Sequence, residues 1–189
     1  MTTWANTVQA AVTAIRNAGA GSQFILLPGT DYTSAASFAT NSGPALSNVK
    51  NPDGSTTNLI YDVHKYLDSD GSGTNAACVS NEIDAAFSPL ATYLRDNKRQ
   101  ALLSETGGGS SDSSCLNNFC AALEYLNQNS DVYLGWTAWA AGSFSTNYVL
   151  SLVPTDNGGS WTDQPLMKQC VAGKFSPNGT NKRQVRWSA

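Results

Sequence analysis

From Thr2 to Ala18 apolar residues recur at helical spacing, with Trp4, Val8, Ala11, Val12 and Ile15 on one side and Gly19 placed as a C-cap. The run Gln23-Phe24-Ile25-Leu26-Leu27, closed by Pro28-Gly29, reads as a short buried strand. A weaker helical pattern spans Ser34 to Val49 and breaks near Gly43-Pro44. Leu59 to Leu67 forms the second strand, and a Gly/Ser loop follows from Ser69 to Ala77. Ser80 then caps a helix with Glu82 and Asp84 in its first turn and Ile83, Phe87, Leu90 and Leu94 as its apolar stripe. Pro89 inside that stripe predicts a kink or an early break. Gln100 to Thr106 is the third strand, Cys115 to Gln128 a helix, and Val132 to Ala140 the fourth strand. A long loop carrying Asn157-Gly158-Gly159 leads to a short last helix over Leu166 to Val171, and the polar, basic stretch from Phe175 to Ala189 is expected to be disordered.

This α-β-α-β-α-β-α-β-α order predicts right-handed βαβ units and a parallel sheet. Sheets of this kind present functional residues at the carboxyl ends of their strands. The chain has 189 residues. That suffices for one core but falls short of the roughly 250 residues typical of an eight-stranded βα barrel. With 41% hydrophobic and 13% charged residues the chain is not a disordered one, and no apolar run is long enough to span a membrane. A net charge of -3 argues against a nucleic-acid partner. Cys78, Cys115, Cys120 and Cys170 fit two disulfides and an oxidising compartment. Met1-Thr2-Thr3-Trp4 has neither the basic region nor the apolar stretch of a secretory signal. The expectation is therefore a cytosolic protein or an absent true N-terminus.

The chain has three glutamates, and only Glu105 lies at a strand end, in Leu103-Ser104-Glu105-Thr106-Gly107-Gly108-Gly109. The glycines leave room for a ligand beside it; capping of the next helix is the competing explanation. In the second strand, Asp62, His64 and Tyr66 share a face by period-two alternation. Asp62 reads as part of a buried hydrogen-bond network, while His64 and Tyr66, nearer the strand end, read as site residues. Trp136 and Trp139 have opposite parity: Trp136 reads as core and Trp139 as a platform for the apolar face of a sugar ring. Asp31-Tyr32 adds a polar and aromatic pair after the first strand. A carboxylate, a His/Tyr pair and a Trp platform suggest glycoside chemistry, which requires two carboxyl groups. Asp31 is the nearest stand-in for the second. No nucleophile elbow and no phosphate-loop lysine is present. Asp68-Ser69-Asp70-Gly71-Ser72-Gly73 begins like a calcium loop, but Val79 stands where its glutamate belongs, so it reads as a solvated turn. One histidine cannot build a multi-His site, and neither a metal nor another cofactor is expected.

The segments Asp62-Val63-His64-Lys65-Tyr66-Leu67-Asp68, Leu103 to Gly109 and Gly135-Trp136-Thr137-Ala138-Trp139-Ala140-Ala141-Gly142-Ser143-Phe144 resemble fungal endo-β-1,4-glucanases of glycoside hydrolase family 5, from about Thr2 to Lys174. The resemblance implies an α/β fold: the C-terminal half, strands five to eight with their helices, of a (β/α)8 TIM barrel. It implies a retaining mechanism with Glu105 as nucleophile. It also implies His64 and Tyr66 at the substrate and nucleophile, Trp139 under the sugar at the cleaved bond, and Asp31-Tyr32 at an outer subsite. The implied disulfides are Cys78–Cys115 and Cys120–Cys170. The family's acid/base glutamate, in an Asn-Glu-Pro motif after strand four, has no counterpart in this chain. Expected domains are a partial catalytic domain over residues 1–174 and a non-family tail over 175–189. The expected partner is a β-glucan, the complete protein is expected to be secreted, and the chain alone is expected to be inactive. The open barrel edges are expected to favour self-association. A β-mannanase or other β-glycanase on the same scaffold, and a non-catalytic carbohydrate-binding protein, are the rival readings.

Overall fold

Helices and strands alternate along the chain, and the four long strands lie side by side in chain order. The computed structural model describes residues 1–142 and 148–175. Helix α1 covers Thr2–Asn17 and strand β1 covers Ile25–Pro28. Then come α2 (Ala35–Asn41), α3 (Gly43–Leu46), β2 (Leu59–His64), α4 (Ser88–Asp96), β3 (Ala101–Thr106), α5 (Ser113–Gln128) and β4 (Tyr133–Ala138). The pairs β1–β2, β2–β3 and β3–β4 are all parallel. A sequential parallel order with helices in the crossovers is the path of a βα barrel through four of its eight strands.

Successive strand residues point to opposite faces. Leu27, Leu59, Tyr61, Val63, Ala101, Leu103, Tyr133 and Trp136 are buried in one core with residues of the helices. The Tyr61 ring meets Phe38 of α2, and the Tyr133 hydroxyl donates to the Phe87 carbonyl at 2.7 Å. The alternate positions carry Leu26, Ile60, Asp62, Leu102, Ser104, Leu134 and Thr137. This is the face that a complete barrel turns inward, and Leu26 and Leu134 are each 38% exposed there. No helix among the described residues is long and apolar enough to cross a membrane.

Several elements differ from the sequence expectation for local reasons. Of the α1 stripe, Val8 and Val12 are buried with Ala5, while Trp4 and Ile15 lie at its margin. The Trp4 indole instead donates to the Pro28 carbonyl at 2.7 Å, tying α1 to the end of β1. Ser80 does not cap a helix. Its hydroxyl donates to the Glu82 carboxylate at 2.6 Å, and Glu82 sits before the helix in the left-handed region, φ 57°. Asn81 Oδ1 accepts the Ile83 N–H at 3.1 Å, and this local turn displaces the expected first helical turn. A wide helical turn over Ile83–Phe87 then leads into α4, where Pro89 occupies the opening turn. The helical path is continuous through Phe87 and Ser88, and the change from wide to regular turns just before Pro89 is the irregularity expected at that proline.

Helix α5 begins two residues before the expected Cys115, because the Asp112 carboxylate accepts the Ser114 N–H at 2.9 Å and caps it. The loop around Asn157-Gly158-Gly159 is a hairpin of β5 (Thr155–Asp156) and β6 (Trp161–Thr162), strands too short to show alternation. A second wide helical turn, Met167–Ala172, runs into α6 (Gly173–Phe175). Phe175, assigned from the sequence to the tail, ends α6, and its ring meets Trp136 edge-on at 5.3 Å. The rest of the expected tail, 176–189, and Ser143-Phe144 lie outside the described residues.

The cysteines close two disulfides, Cys78–Cys115 and Cys120–Cys170, separated by 37 and 50 residues. The first joins the 69–78 loop to the start of α5, and the second joins α5 to the last helical segment. Loops of that length correspond to about 4 kcal/mol each in the chain-entropy description.

Candidate active site

Strict alternation along β3 would send Glu105 the wrong way. Ala101 and Leu103 face the helices, so position 105 should follow them. The pairing with β2 shifts at this point: Val63 lies opposite Leu103, but His64 lies opposite Glu105, so β3 carries one extra residue at Ser104. The bulge turns Ser104 and Glu105 to the same inner side and returns Thr106, 1% exposed, to the helical face. The Lys65 N–H donates to the Glu105 carbonyl at 3.0 Å and closes the ladder beyond the bulge.

The Glu105 side chain is 38% exposed, and the Tyr66 hydroxyl donates to its Oε2 at 3.0 Å. His64 Nδ1 stands 3.8 Å from the same oxygen, and His64 Nε2 stands 4.0 Å from Asp62 Oδ2, so the imidazole lies between two carboxylates. Ser104 Oγ donates to Asp62 Oδ1, and Thr137 Oγ1 donates to the Ser104 carbonyl, which links the inner faces of β2, β3 and β4. Asp62 thus belongs to a network that satisfies it. Burial, and secondly the hydrogen bond to Glu105, push the Tyr66 phenol far above its ordinary range, so it remains a proton donor. The other two glutamates are each paired with a lysine, Glu82 with Lys65 at 3.1 Å and Glu124 with Lys174 at 2.6 Å. Among the described residues, Glu105 has no Lys or Arg within ion-pair reach. An unneutralised, half-exposed carboxylate at the mouth of a strand is free to meet an electrophile.

Trp136 is 7% exposed and its indole donates to Asn127 Oδ1 at 3.0 Å, while Trp139 is 38% exposed beside the strand end. The Trp139 N–H donates to the Thr106 carbonyl at 2.7 Å, holding the residue against β3. Its indole donates to the Tyr148 hydroxyl at 2.7 Å. Tyr148 is a site neighbour that sequence reasoning missed, because it lies in a loop without a pattern. The glycines after Glu105 do not leave room for a ligand. A Cβ on Gly107 would stand 2.7 Å from the Trp139 carbonyl, one on Gly108 2.5 Å from the Cys78 sulfur, and one on Gly109 would strike the Ala76 carbonyl. Protein fills that space.

Asp31 and Tyr32 are not brought into this cluster. They form a short turn with Thr33 in which φ is 57°, 50° and 54°, in the left-handed region. Asp31 Oδ2 accepts from Ser37 Oγ at 2.9 Å, and Tyr32 is 93% exposed. The segment read as a solvated turn is instead wrapped around a buried Asp68, 5% exposed and hydrogen-bonded to the backbone of Gly73, Thr74 and Asn75. Among the described residues no three His, Cys, Asp or Glu side chains gather in a way that could hold a metal ion.

Residues 1–142 match the sequence family described as cellulase (glycosyl hydrolase family 5). Over 173 residues, 91% of the chain, the sequence is 64% identical to endoglucanase EG-II of Hypocrea jecorina. Over 172 residues it is 45% identical to the manganese dependent endoglucanase Eg5A of Phanerodontia chrysosporium. The crystal structure of Cel5A (EG2) from Hypocrea jecorina superposes with a TM-score of 0.85 over 89% of this chain. The chain spans 41% and 43% of the two relatives and 51% of the crystallised protein.

Proposed function

This chain belongs to glycosyl hydrolase family 5, the cellulases, and from that premise we propose that it carries the nucleophile arm of an endo-β-1,4-glucanase site. The substrate is cellulose and related β-glucans, cleaved at internal bonds with retention of configuration. The observation that carries the reading is Glu105: an inward-turned carboxylate at the end of β3, unpaired with any Lys or Arg among the described residues and held by Tyr66 beside His64 and Trp139. Glu105 attacks the anomeric carbon as the bond to the leaving glucosyl oxygen breaks, and water later releases the sugar from the ester. Tyr66 donates a hydrogen bond that orients the carboxylate. His64 contacts the substrate, the Trp139 face underlies the sugar ring, and Asp31-Tyr32 serve an outer subsite.

The leaving oxygen must take a proton from a second carboxyl group. No such group stands across from Glu105 among the described residues, so this chain alone turns over little or no substrate. The partial catalytic domain runs over residues 1–175, since Phe175 ends α6 and its ring meets Trp136. The two disulfides support a secreted protein. Among the described residues β1 and β4 each leave one edge unpaired, and the exposed Leu26 and Leu134 lie on those two strands. This supports self-association in solution, and a clean monomer in analytical ultracentrifugation would exclude it.

The test of the nucleophile needs no acid. A 2-deoxy-2-fluoro-cellobioside with a dinitrophenolate leaving group departs without protonation and leaves a stable ester. Mass spectrometry of the digested chain should find that ester on Glu105. A folded chain that stays unlabelled, or one labelled on another carboxylate, would overturn the assignment.

A further inference from the structure

Asp68 lies outside the cleft and is buried without a Lys or Arg within ion-pair reach among the described residues. Its Oδ1 accepts the Gly73 N–H at 3.1 Å. Its Oδ2 accepts the N–H groups of Thr74 and Asn75 and the Asn75 side-chain amide, each at 3.1 Å, and the Ser72 hydroxyl at 3.4 Å. Burial by itself would raise the Asp68 carboxyl, but the donors from Gly73, Asn75 and Thr74 outweigh it and hold the group below its ordinary value. The charge therefore organises the loop, and all of its partners are loop atoms.

The loop is pressed on one side chain of the site. Gly73, at φ +71°, lies so close to Tyr66 that a Cβ would stand 2.5 to 2.8 Å from three atoms of its ring. Gly107, two residues beyond Glu105, also borders that ring, with a would-be Cβ 3.3 Å from it. The far end of the same loop is fixed by the Cys78–Cys115 disulfide and by the Gly109 N–H donating to the Ala76 carbonyl at 2.9 Å. The Tyr66 ring is held by glycine backbone from two loops, and its hydroxyl reaches Glu105 at 3.0 Å.

We propose that Asp68 is a positioning residue for Glu105, acting through the Gly73 turn and the Tyr66 ring. This rests on Glu105 being the nucleophile, and two readouts on the 189-residue chain separate the proposal from that premise. The first is the ring-flip rate of Tyr66 by NMR with ring-labelled tyrosine. In the parent the two ring edges should give separate signals, and in Asp68→Asn they should average, with flipping at least about tenfold faster. The second is the rate of Glu105 labelling by the fluoro-cellobioside. Asp68→Asn and Tyr66→Phe should each slow it about tenfold or more, and the double variant should be no slower than Tyr66→Phe. Should Asp68→Asn lose its cooperative melt, Gly73→Ala perturbs the same ring from the turn and is read in its place. Unchanged Tyr66 ring signals, or two losses that multiply in the double variant, would overturn the proposal. A parent that is never labelled refutes the nucleophile reading, and the ring signals then decide the role of Asp68 by themselves.

Discussion

On the outer face of the sheet, Leu59, Tyr61, Val63, Ala101, Leu103 and Tyr133 keep at most 1% of their surface exposed beneath the helices. Across the same strands Leu26 and Leu134 keep 38%, and Asp62, Ser104 and Thr137 present polar groups. One strand therefore serves two ends by parity. On each strand the residues facing the helices are sealed by local βα packing, whereas those on the other face await whatever else lines the barrel. Apolar packing lies on the outside, and the linked polar groups lie on the inside. A single extra residue in β3 moves Glu105 from the first face to the second.

The sharpest break of this comparison is Glu105→Gln. Labelling by the fluoro-cellobioside should fall by about 10³-fold or more, while the melt stays within about 0.5 kcal/mol of the parent, as for substitutions outside a packed core. Next in size is the removal of Cys120 and Cys170 together by Cys→Ser, which should lower unfolding free energy by about 4 kcal/mol in urea titrations. Leu103→Ala on the sealed face should cost about 2–5 kcal/mol. Leu134→Ala on the open face should cost less than about 1 kcal/mol, because much of its side chain already meets water. Equal losses at positions 103 and 134 would show that the inner face is covered in solution.

Acid gives the smallest effect and probes the loop rather than either face. The Asp68 carboxyl is lowered in the folded chain. Its contribution is complete above the unfolded carboxyl value of about 3.9 and is lost as pH falls through the lowered folded value. Urea midpoints measured from pH 6 downward should therefore drop below about pH 4, and Asp68→Asn should flatten that limb.

The alternation of apolar runs carried the architecture because each strand of a βα unit is buried on its outer side regardless of what completes the barrel. Glu105 was legible from its place at a strand end, and Trp136 and Trp139 were sorted by parity. The bulge at Ser104 was not legible, since an inserted residue leaves no mark in composition and appears only against a paired strand. The start of the helix after Ser80 was misread because Asn81 and Glu82 satisfy one another's neighbours locally before a helix can form. Asp68 looked like surface because its burial depends on N–H groups from residues 73–75, which a side-chain pattern does not record.

The three glycines after Glu105 set a limit on variation. All are small because a backbone carbonyl, a pair of sulfurs and a second carbonyl already occupy the places of their side chains. In a saturation library scored for yield, these adjacent codons should fall silent together, each for a different collision. Such a library would do well to leave that short stretch alone and to diversify the exposed positions Thr155, Asp156, Trp161 and Thr162 of the hairpin instead, keeping Gly158 and Gly159, whose φ of +70° and +91° favours glycine although nothing crowds them.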